Sequence, residues 1–245
     1  MYYSELAIEV TRRCNMGCAH CLRGEAENLN MPDEYLERFF EHVEGVGCIT
    51  FTGGEPTLNL WTIEHTLDIC KKRNIPVDSF YIVTNGKVVT REFLYLAIDW
   101  TLYCMESYPD TVSEGLSGIT ISRDMFHDKI DQKNIDMLKT LAVYRDGDKD
   151  VDWTQAYMYE LGRARKLAES EEHVAFKSRR LDDVEVSRNY VDSYIALTCT
   201  GHILPDCDYE YGEEDDIAIG KATSDAEMNE YIKYMKSLAD NCEAA

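Results

Sequence analysis

The stretch TRRCNMGCAHCLRG, residues 11–24, places three cysteines within eight residues. Cys14, Cys18 and Cys21 follow a short apolar run, LAIEV (6–10), which is typical of a buried strand. Thiolates are soft ligands that select zinc, cuprous copper or iron–sulfur clusters. The spacing C-x3-C-x2-C therefore indicates a metal site in the loop that follows a strand.

Two kinds of metal site fit three closely spaced thiolates. A structural zinc site needs four ligands in tetrahedral geometry, and His20 is the nearby candidate for the fourth. Its position between Cys18 and Cys21 is cramped, and no paired CxxC lies nearby to complete the set. A 4Fe–4S cube bound by three cysteines leaves one iron open, where another molecule can bind.

Composition and charge argue against several classes of protein. The chain has 245 residues and a net charge of −21 at pH 7, which disfavours binding to the phosphate backbone of nucleic acid. No apolar run approaches the roughly 18 residues of a membrane span, and MYYSELAIEV (1–10) does not have the pattern of a secretory signal. We therefore expect a cytoplasmic protein with reduced cysteines that binds neither nucleic acid nor membranes.

Apolar runs alternate with helical patterns in the first two-thirds of the chain, which predicts parallel βαβ units. The tail, from about residue 190, has a different pattern. We predict an α/β fold, a partial (β/α)6 TIM-like barrel over 1–185 with a small C-terminal β-containing extension over 186–245. The predicted strands are 6–10, 48–51, 80–83, 118–121, 154–161 and 193–198, followed by a hairpin over 199–212; the predicted helices begin near 33 and cover 58–73, 90–106, 131–143 and the closing segment 225–240.

Each of the first four predicted strands leads directly into a polar or glycine-containing motif. The first leads into the cysteine loop, and the next three lead into TGGEP (52–56), TNG (84–86) and SRD (122–124). Because the carboxyl ends of parallel strands share one face of such a fold, we expect these motifs to meet there.

The order of two of these motifs resembles the radical S-adenosylmethionine (radical SAM) superfamily. C-x3-C-x2-C after the first strand is followed by Gly53-Gly54-Glu55-Pro56 after the second, and the resemblance covers roughly residues 5–165. It implies that Cys14, Cys18 and Cys21 are the metal ligands of a 4Fe–4S cluster and act as catalytic residues. The open iron would bind the amine and carboxylate of S-adenosylmethionine.

The resemblance also implies a set of residues that bind S-adenosylmethionine. The family usually has an aromatic residue just before the third cysteine, and this chain has His20 there, which we expect to pack near the adenine. Arg163, just after the fifth predicted strand, is a candidate partner for the cofactor carboxylate, or else part of a solvated helix start. The other expected contacts are Gly53, Gly54 and Glu55 to the methionine amine, Ser122 and Asp124 to the ribose, and Thr84 and Asn85 beside the cofactor.

The activity implied by the resemblance is reductive cleavage of S-adenosylmethionine to a 5′-deoxyadenosyl radical that abstracts hydrogen from a substrate carbon. A reductase would supply the electron. The tail favours a peptide or protein substrate; a small-molecule substrate, activation of a glycyl-radical enzyme and a non-catalytic structural metal module are the alternatives.

The tail resembles the SPASM or twitch extensions of peptide-modifying radical SAM enzymes, which hold auxiliary iron–sulfur clusters. Cys199 and Cys207 flank Gly201, but this spacing departs from that pattern, and Cys242 is the one further cysteine there. An auxiliary cluster normally needs four thiolates. We therefore expect a degenerate extension without a cluster.

Overall fold

The computed structural model describes residues 1–146, 157–168, 175–177, 179, 181 and 183–243. Within these ranges the central feature is a nine-stranded sheet that contains five successive parallel strands. The sheet is open: its order is β11-β10-β9-β1-β2-β3-β4-β5, and β8 pairs with β9. The predicted α/β fold with a parallel sheet is confirmed.

The elements alternate strand and helix as far as α4. The strands are β1 (Tyr2–Thr11), β2 (Gly45–Gly53), β3 (Val77–Thr84), β4 (Gly118–Ile121), β5 (Tyr144–Arg145), β6 (Tyr157–Tyr159), β7 (Ala175–Lys177), β8 (Val186–Ser187), β9 (Tyr190–Leu197), β10 (His202–Leu204) and β11 (Gly220–Lys221). The helices are α1 (Asp33–Phe40), α2 (Leu60–Arg73), α3 (Arg91–Ser107), α4 (Gln132–Leu138), α5 (Ala164–Ala168), α6 (Glu214–Ile217) and α7 (Asp225–Glu243). None of these helices is long and apolar enough to cross a lipid bilayer.

Strand β1 occupies the centre of the sheet. Its Leu6 pairs with Ile49 of β2 on one side and with Ile195 of β9 on the other, both in parallel register. A parallel strand covered on both faces is typically a continuous apolar run, which accounts for the composition of LAIEV. The parallel pairing with β9 brings part of the tail into the main sheet, and the domain boundary at 185/186 stays a prediction.

The carboxyl ends of the first four strands meet at one edge of the sheet, as expected. Thr11 at the end of β1 pairs with Gly53 at the end of β2. Beyond β3 and β4, the backbone N–H of Ser122 donates to the carbonyl of Thr84 at 2.8 Å. This edge carries the cysteine loop and the three other motifs.

The fifth strand of the sheet differs from the prediction. Tyr144–Arg145 pairs with β4, whereas Tyr157–Tyr159 forms a separate two-stranded sheet with β7. The helix predicted over 131–143 ends at Leu138, and a turn leads from it into β5: the N–H of Leu141 donates to the carbonyl of Leu138 at 3.0 Å, and the N–H of Tyr144 donates to the carbonyl of Leu141 at 3.1 Å. Residues 154–156 of the predicted strand lie outside the described ranges.

One aromatic cluster anchors α3 on the sheet. Trp100 is fully buried, its ring centroid lies 5.2 Å from that of Phe51, and its indole N–H donates to the carbonyl of Ile63 at 3.2 Å. The contact therefore joins α3 to β2 and to α2. Aromatic pairs of this kind dominate the energetics of a core.

Replacing Trp100 with alanine should lower the free energy of unfolding by about 3–5 kcal/mol, because it leaves a large cavity in the core. Chemical denaturation followed by circular dichroism measures this loss. The matched control is Trp61→Ala, since the Trp61 side chain is 57% exposed, and its loss of stability should be much smaller. Equal losses in the two variants would contradict the assignment of Trp100 to the core.

Candidate active site

A cavity of about 300 Å³ opens at the edge of the sheet where the strand ends meet. This volume lies at the lower end of the range for small-ligand sites. Of the twelve residues predicted as site residues, Thr84 and Asp124 do not line the cavity. The ten that do are Cys14, Cys18, His20, Cys21, Gly53, Gly54, Glu55, Asn85, Ser122 and Arg163.

The cysteine loop is held in place by backbone hydrogen bonds. The N–H of Cys21 donates to the carbonyl of Cys18 at 3.2 Å, and the N–H of Arg163 donates to the carbonyl of Cys21 at 2.9 Å. Burial raises the pKa of Cys14, and burial together with the other two cysteines raises the pKa of Cys18. Because thiols must lose their protons to bind metal, metal uptake at this loop should release protons.

The glycines after β2 allow the cysteine loop to approach the strand closely. Gly53 has a φ of +139°, and a Cβ atom there would lie 2.2 Å from the carbonyl oxygen of Thr11. A Cβ on Gly54 would lie 2.3 Å from the carbonyl oxygen of Arg13. The N–H of Gly54 donates to the carbonyl of Thr11 at 2.7 Å. Glycine at both positions thus brings the backbone of the motif against the start of the cysteine loop.

Glu55 organises the ends of β2 and β3. Its carboxylate, in a residue only 1% exposed, accepts hydrogen bonds from the hydroxyls of Thr57 and Thr84, both at 2.6 Å, and from the backbone N–H groups of Thr57 at 3.1 Å and Asn85 at 2.7 Å. Thr84 is therefore directed to Glu55, which explains its absence from the cavity wall.

Asp124 lies behind two imidazole rings. Its carboxylate oxygens lie 3.2 Å from Nε2 of His20 and 2.7 Å from Nδ1 of His127, and it accepts the backbone N–H of Phe126 at 2.8 Å. Burial acts to raise the pKa of Asp124, but His127 and the N–H of Phe126 outweigh it and hold the pKa below its usual value. Asp124 thus positions His20 and His127, and both rings line the cavity.

The tail supplies part of the cavity wall, through residues that were not among the predicted site residues. Cys207, Asp208 and Tyr211 line it. The N–H of Tyr211 donates to the carbonyl of Arg23 at 3.1 Å, and the Arg23 guanidinium lies 3.7 Å from the ring centroid of Tyr209. The tyrosines of DYEY (208–211) thus have arginine partners near the distant cysteine loop, and no local pattern in the sequence links the two segments.

Arg12, just before the cysteines, is another residue of the cavity wall that was not predicted. It is buried, and its guanidinium pairs with Glu9 at 3.2 Å, with Glu27 at 3.0 Å and with Glu214 of α6. The guanidinium also lies 4.1 Å from the ring centroid of Tyr211. With three carboxylates around it, Arg12 ties the tail to the end of β1.

The two cysteines of the tail occupy different environments. Cys199 is buried, and its thiol donates to the backbone carbonyl of Glu9 at 3.0 Å. Cys207 lines the cavity, and burial, followed by the charge of Asp208, raises its pKa to about 11. The side chain of Cys242 lies outside the described part of the chain. The expectation of a cluster-free tail stays a prediction.

The residues present fit an iron–sulfur cluster with a polar ligand beside it. The three thiols of the cysteine loop line the cavity, as a cluster with one open iron requires, and the thiol of Cys207 from the tail lines it as well. Nδ1 of His20, Nε of Arg163 and the hydroxyl of Tyr211 are buried without a hydrogen-bond partner, and all three residues line the same cavity. Because buried polar atoms are almost always paired in native proteins, these atoms indicate a polar ligand there.

The chain belongs to the radical SAM superfamily, whose family model matches residues 8–139, more than half of its length. The cofactors of this family are a 4Fe–4S cluster and S-adenosylmethionine.

Two curated proteins show the likeness in sequence. The S-adenosylmethionine-dependent nucleotide dehydratase of Flammeovirga pacifica is 34% identical over 106 residues, which make up 38% of this chain and 35% of that protein. Molybdenum cofactor biosynthesis protein 1 of Drosophila melanogaster is 32% identical over 104 residues, which make up 39% of this chain and 18% of that protein. The match thus spans about a third or less of each relative.

A solved structure shows the likeness in fold. Native anSMEcpe with bound AdoMet and the Cp18Cys peptide aligns with 100% of this chain and 86% of its own chain. The TM-score is 0.52 and the sequence identity is 14%. The two chains therefore share the radical SAM fold.

Proposed function

We propose that Cys14, Cys18 and Cys21 hold the 4Fe–4S cluster and that the enzyme modifies a carbon atom of a peptide or protein. When bound, the cluster supplies the electron that cleaves S-adenosylmethionine to the radical that abstracts hydrogen from the substrate. The observation that carries the proposal is the convergence of three thiols and the Gly53-Gly54-Glu55 motif on one cavity.

Different residues of the chain are proposed to contact different parts of S-adenosylmethionine. Gly53 and Gly54 let backbone atoms approach the methionine amine, and Arg163, with a free Nε, pairs with its carboxylate. Ser122 would contact the ribose and His20 would pack near the adenine. Glu55, Thr84, Asn85 and Asp124 are assigned to the cofactor as well, and the hydrogen bonds of Glu55 and Asp124 indicate that both also position neighbouring groups.

A peptide or protein substrate is supported by the tail. The tail forms one side of the cavity through Cys207, Asp208 and Tyr211. A substrate bound next to the cofactor in this cavity would therefore contact the tail. The solved structure that this chain resembles in fold contains a bound peptide. We propose a reductase as the electron donor and the cytoplasm as the location.

A small-molecule substrate is the second candidate. The relative from Flammeovirga pacifica, which matches 38% of this chain, is named for its action on a nucleotide. Nucleotides and peptides can therefore be compared in one assay that measures the rate of S-adenosylmethionine cleavage. We expect the true class of substrate to raise this rate above the rate without substrate.

Anaerobic reconstitution with iron and sulfide tests the proposal. After addition of dithionite and S-adenosylmethionine, we expect 5′-deoxyadenosine by mass spectrometry, and none when dithionite is omitted. A colourless protein that retains zinc and forms no 5′-deoxyadenosine would refute the assignment of the three cysteines to a cluster.

Replacing Glu55 with alanine should weaken the binding of S-adenosylmethionine by about tenfold, or 1.4 kcal/mol, while the cluster remains. The reason is that Thr57, Thr84 and Asn85 lose a shared buried acceptor, so the segments that follow β2 and β3 lose the side chain that joins them. Calorimetric titration of the reconstituted protein measures the Kd. The control is Glu64→Ala, on the exposed face of α2. An unchanged Kd in Glu55→Ala would argue against this role.

A further inference from the structure

Asn85 is fixed at the end of β3 by its neighbours. The residue is 7% exposed, and its backbone N–H donates to the Glu55 carboxylate at 2.7 Å. Its side-chain Oδ1 accepts the backbone N–H of Lys87 at 3.0 Å. The oxygen of the amide is thereby identified, since the opposite orientation would place the NH2 group against another donor.

The NH2 group of Asn85 faces the cysteine loop. Nδ2 lies 2.7 Å from Oδ1 of Asn15 and 4.0 Å from Sγ of Cys14. An amide nitrogen carries two hydrogens. One is used by Asn15, and the other is available to the Cys14 sulfur.

The Cys14 sulfur has a polar neighbour in the Asn85 amide, whose Nδ2 lies 4.0 Å away. The sulfur of Cys18, by contrast, has the thioether of Met16 at 3.9 Å. The predicted cluster ligands therefore differ in the polarity of their surroundings.

We propose that Asn85 tunes the reduction potential of the cluster through a hydrogen bond to the Cys14 thiolate. The inference rests on the proposed function, because it assumes that Cys14 is a cluster ligand. An N–H donor withdraws electron density from the sulfur and stabilises the reduced cluster, which carries the greater negative charge. Asn85 is in this sense a positioning residue, since its backbone is held by Glu55 while its amide acts on Cys14.

Asn85→Leu tests the proposal, because leucine has a similar size and no N–H group. Anaerobic redox titration followed by electron paramagnetic resonance gives the midpoint potential of the cluster. We expect a more negative potential, with an equilibrium constant for reduction lower by up to tenfold, or 59 mV for one electron. A midpoint equal to that of the wild type, in a variant with full iron content, would overturn the proposal.

The matched control is Asn134→Leu. Asn134 donates its amide to the carbonyls of Gly86 and Lys87 in the same turn. Its replacement should leave the potential unchanged. An equal shift in both variants would assign the effect to the turn as a whole and overturn the role of the Asn85 amide.

A second measurement remains available if Asn85→Leu takes up no cluster. Protein containing asparagine labelled with 15N only in the side-chain amide is reduced and studied by pulsed electron paramagnetic resonance. We expect a 15N coupling that persists in Asn15→Ala. No coupling, or its loss in Asn15→Ala, would overturn the proposal. A wild-type protein that binds no cluster would instead defeat the proposed function itself.

Discussion

Gly53→Ala should destabilise the protein by about 3 kcal/mol or more. The residue has a φ of +139°, which is costly for any residue with a side chain, and the added Cβ would lie 2.2 Å from the backbone oxygen of Thr11. Thr11 cannot move away easily, because its carbonyl accepts the N–H of Gly54. For a chain of this length the melting temperature should fall by roughly 6–12 °C.

Gly212→Ala is the control for this prediction. A Cβ on Gly212 meets nothing within 4 Å, and the residue is exposed. Its replacement should change stability by less than about 0.5 kcal/mol. Thermal denaturation of both variants measures the difference, and an unchanged melting temperature in Gly53→Ala would show that the close contact with Thr11 is wrong.

Cys18→Ala should abolish the cluster, because two remaining thiolates do not hold a 4Fe–4S cube. The iron content should fall from about four atoms per chain to a small fraction of that value, and the brown absorbance should disappear. Iron and sulfide analysis after anaerobic reconstitution measures the change. Full iron content in the variant would show that Cys18 is not a ligand of the cluster.

The matched control for Cys18→Ala is Cys207→Ala. Cys207 lines the same cavity but comes from the tail, so it tests whether the loss of any thiol there has the same effect. We expect unchanged iron per chain. A loss of iron in Cys207→Ala would instead support an auxiliary cluster in the tail.

Much of the fold was predictable because its signals are local. Short apolar runs, helical patterns with a period of 3.6 and the spacing of the three cysteines can each be recognised within a short window. Ten of the twelve predicted site residues line one cavity, and nine of them lie in the cysteine loop or at the ends of β2, β3 and β4, as the convergence of parallel strand ends predicts. The tenth, Arg163, follows β6 of the separate sheet. The fifth strand of the sheet was missed because Tyr144–Arg145 is two residues long, which is too short to show a periodic pattern.

The sequence by itself determined the superfamily pattern, the parallel sheet and the cysteine loop. Only the tertiary structure decided that β9 pairs with β1, that Tyr211 packs on Arg12, and that Thr84 is directed to Glu55. The physical reason is the distance along the chain. A contact between Arg12 and Tyr211 joins residues nearly two hundred positions apart, and neither residue carries a local pattern that identifies the other.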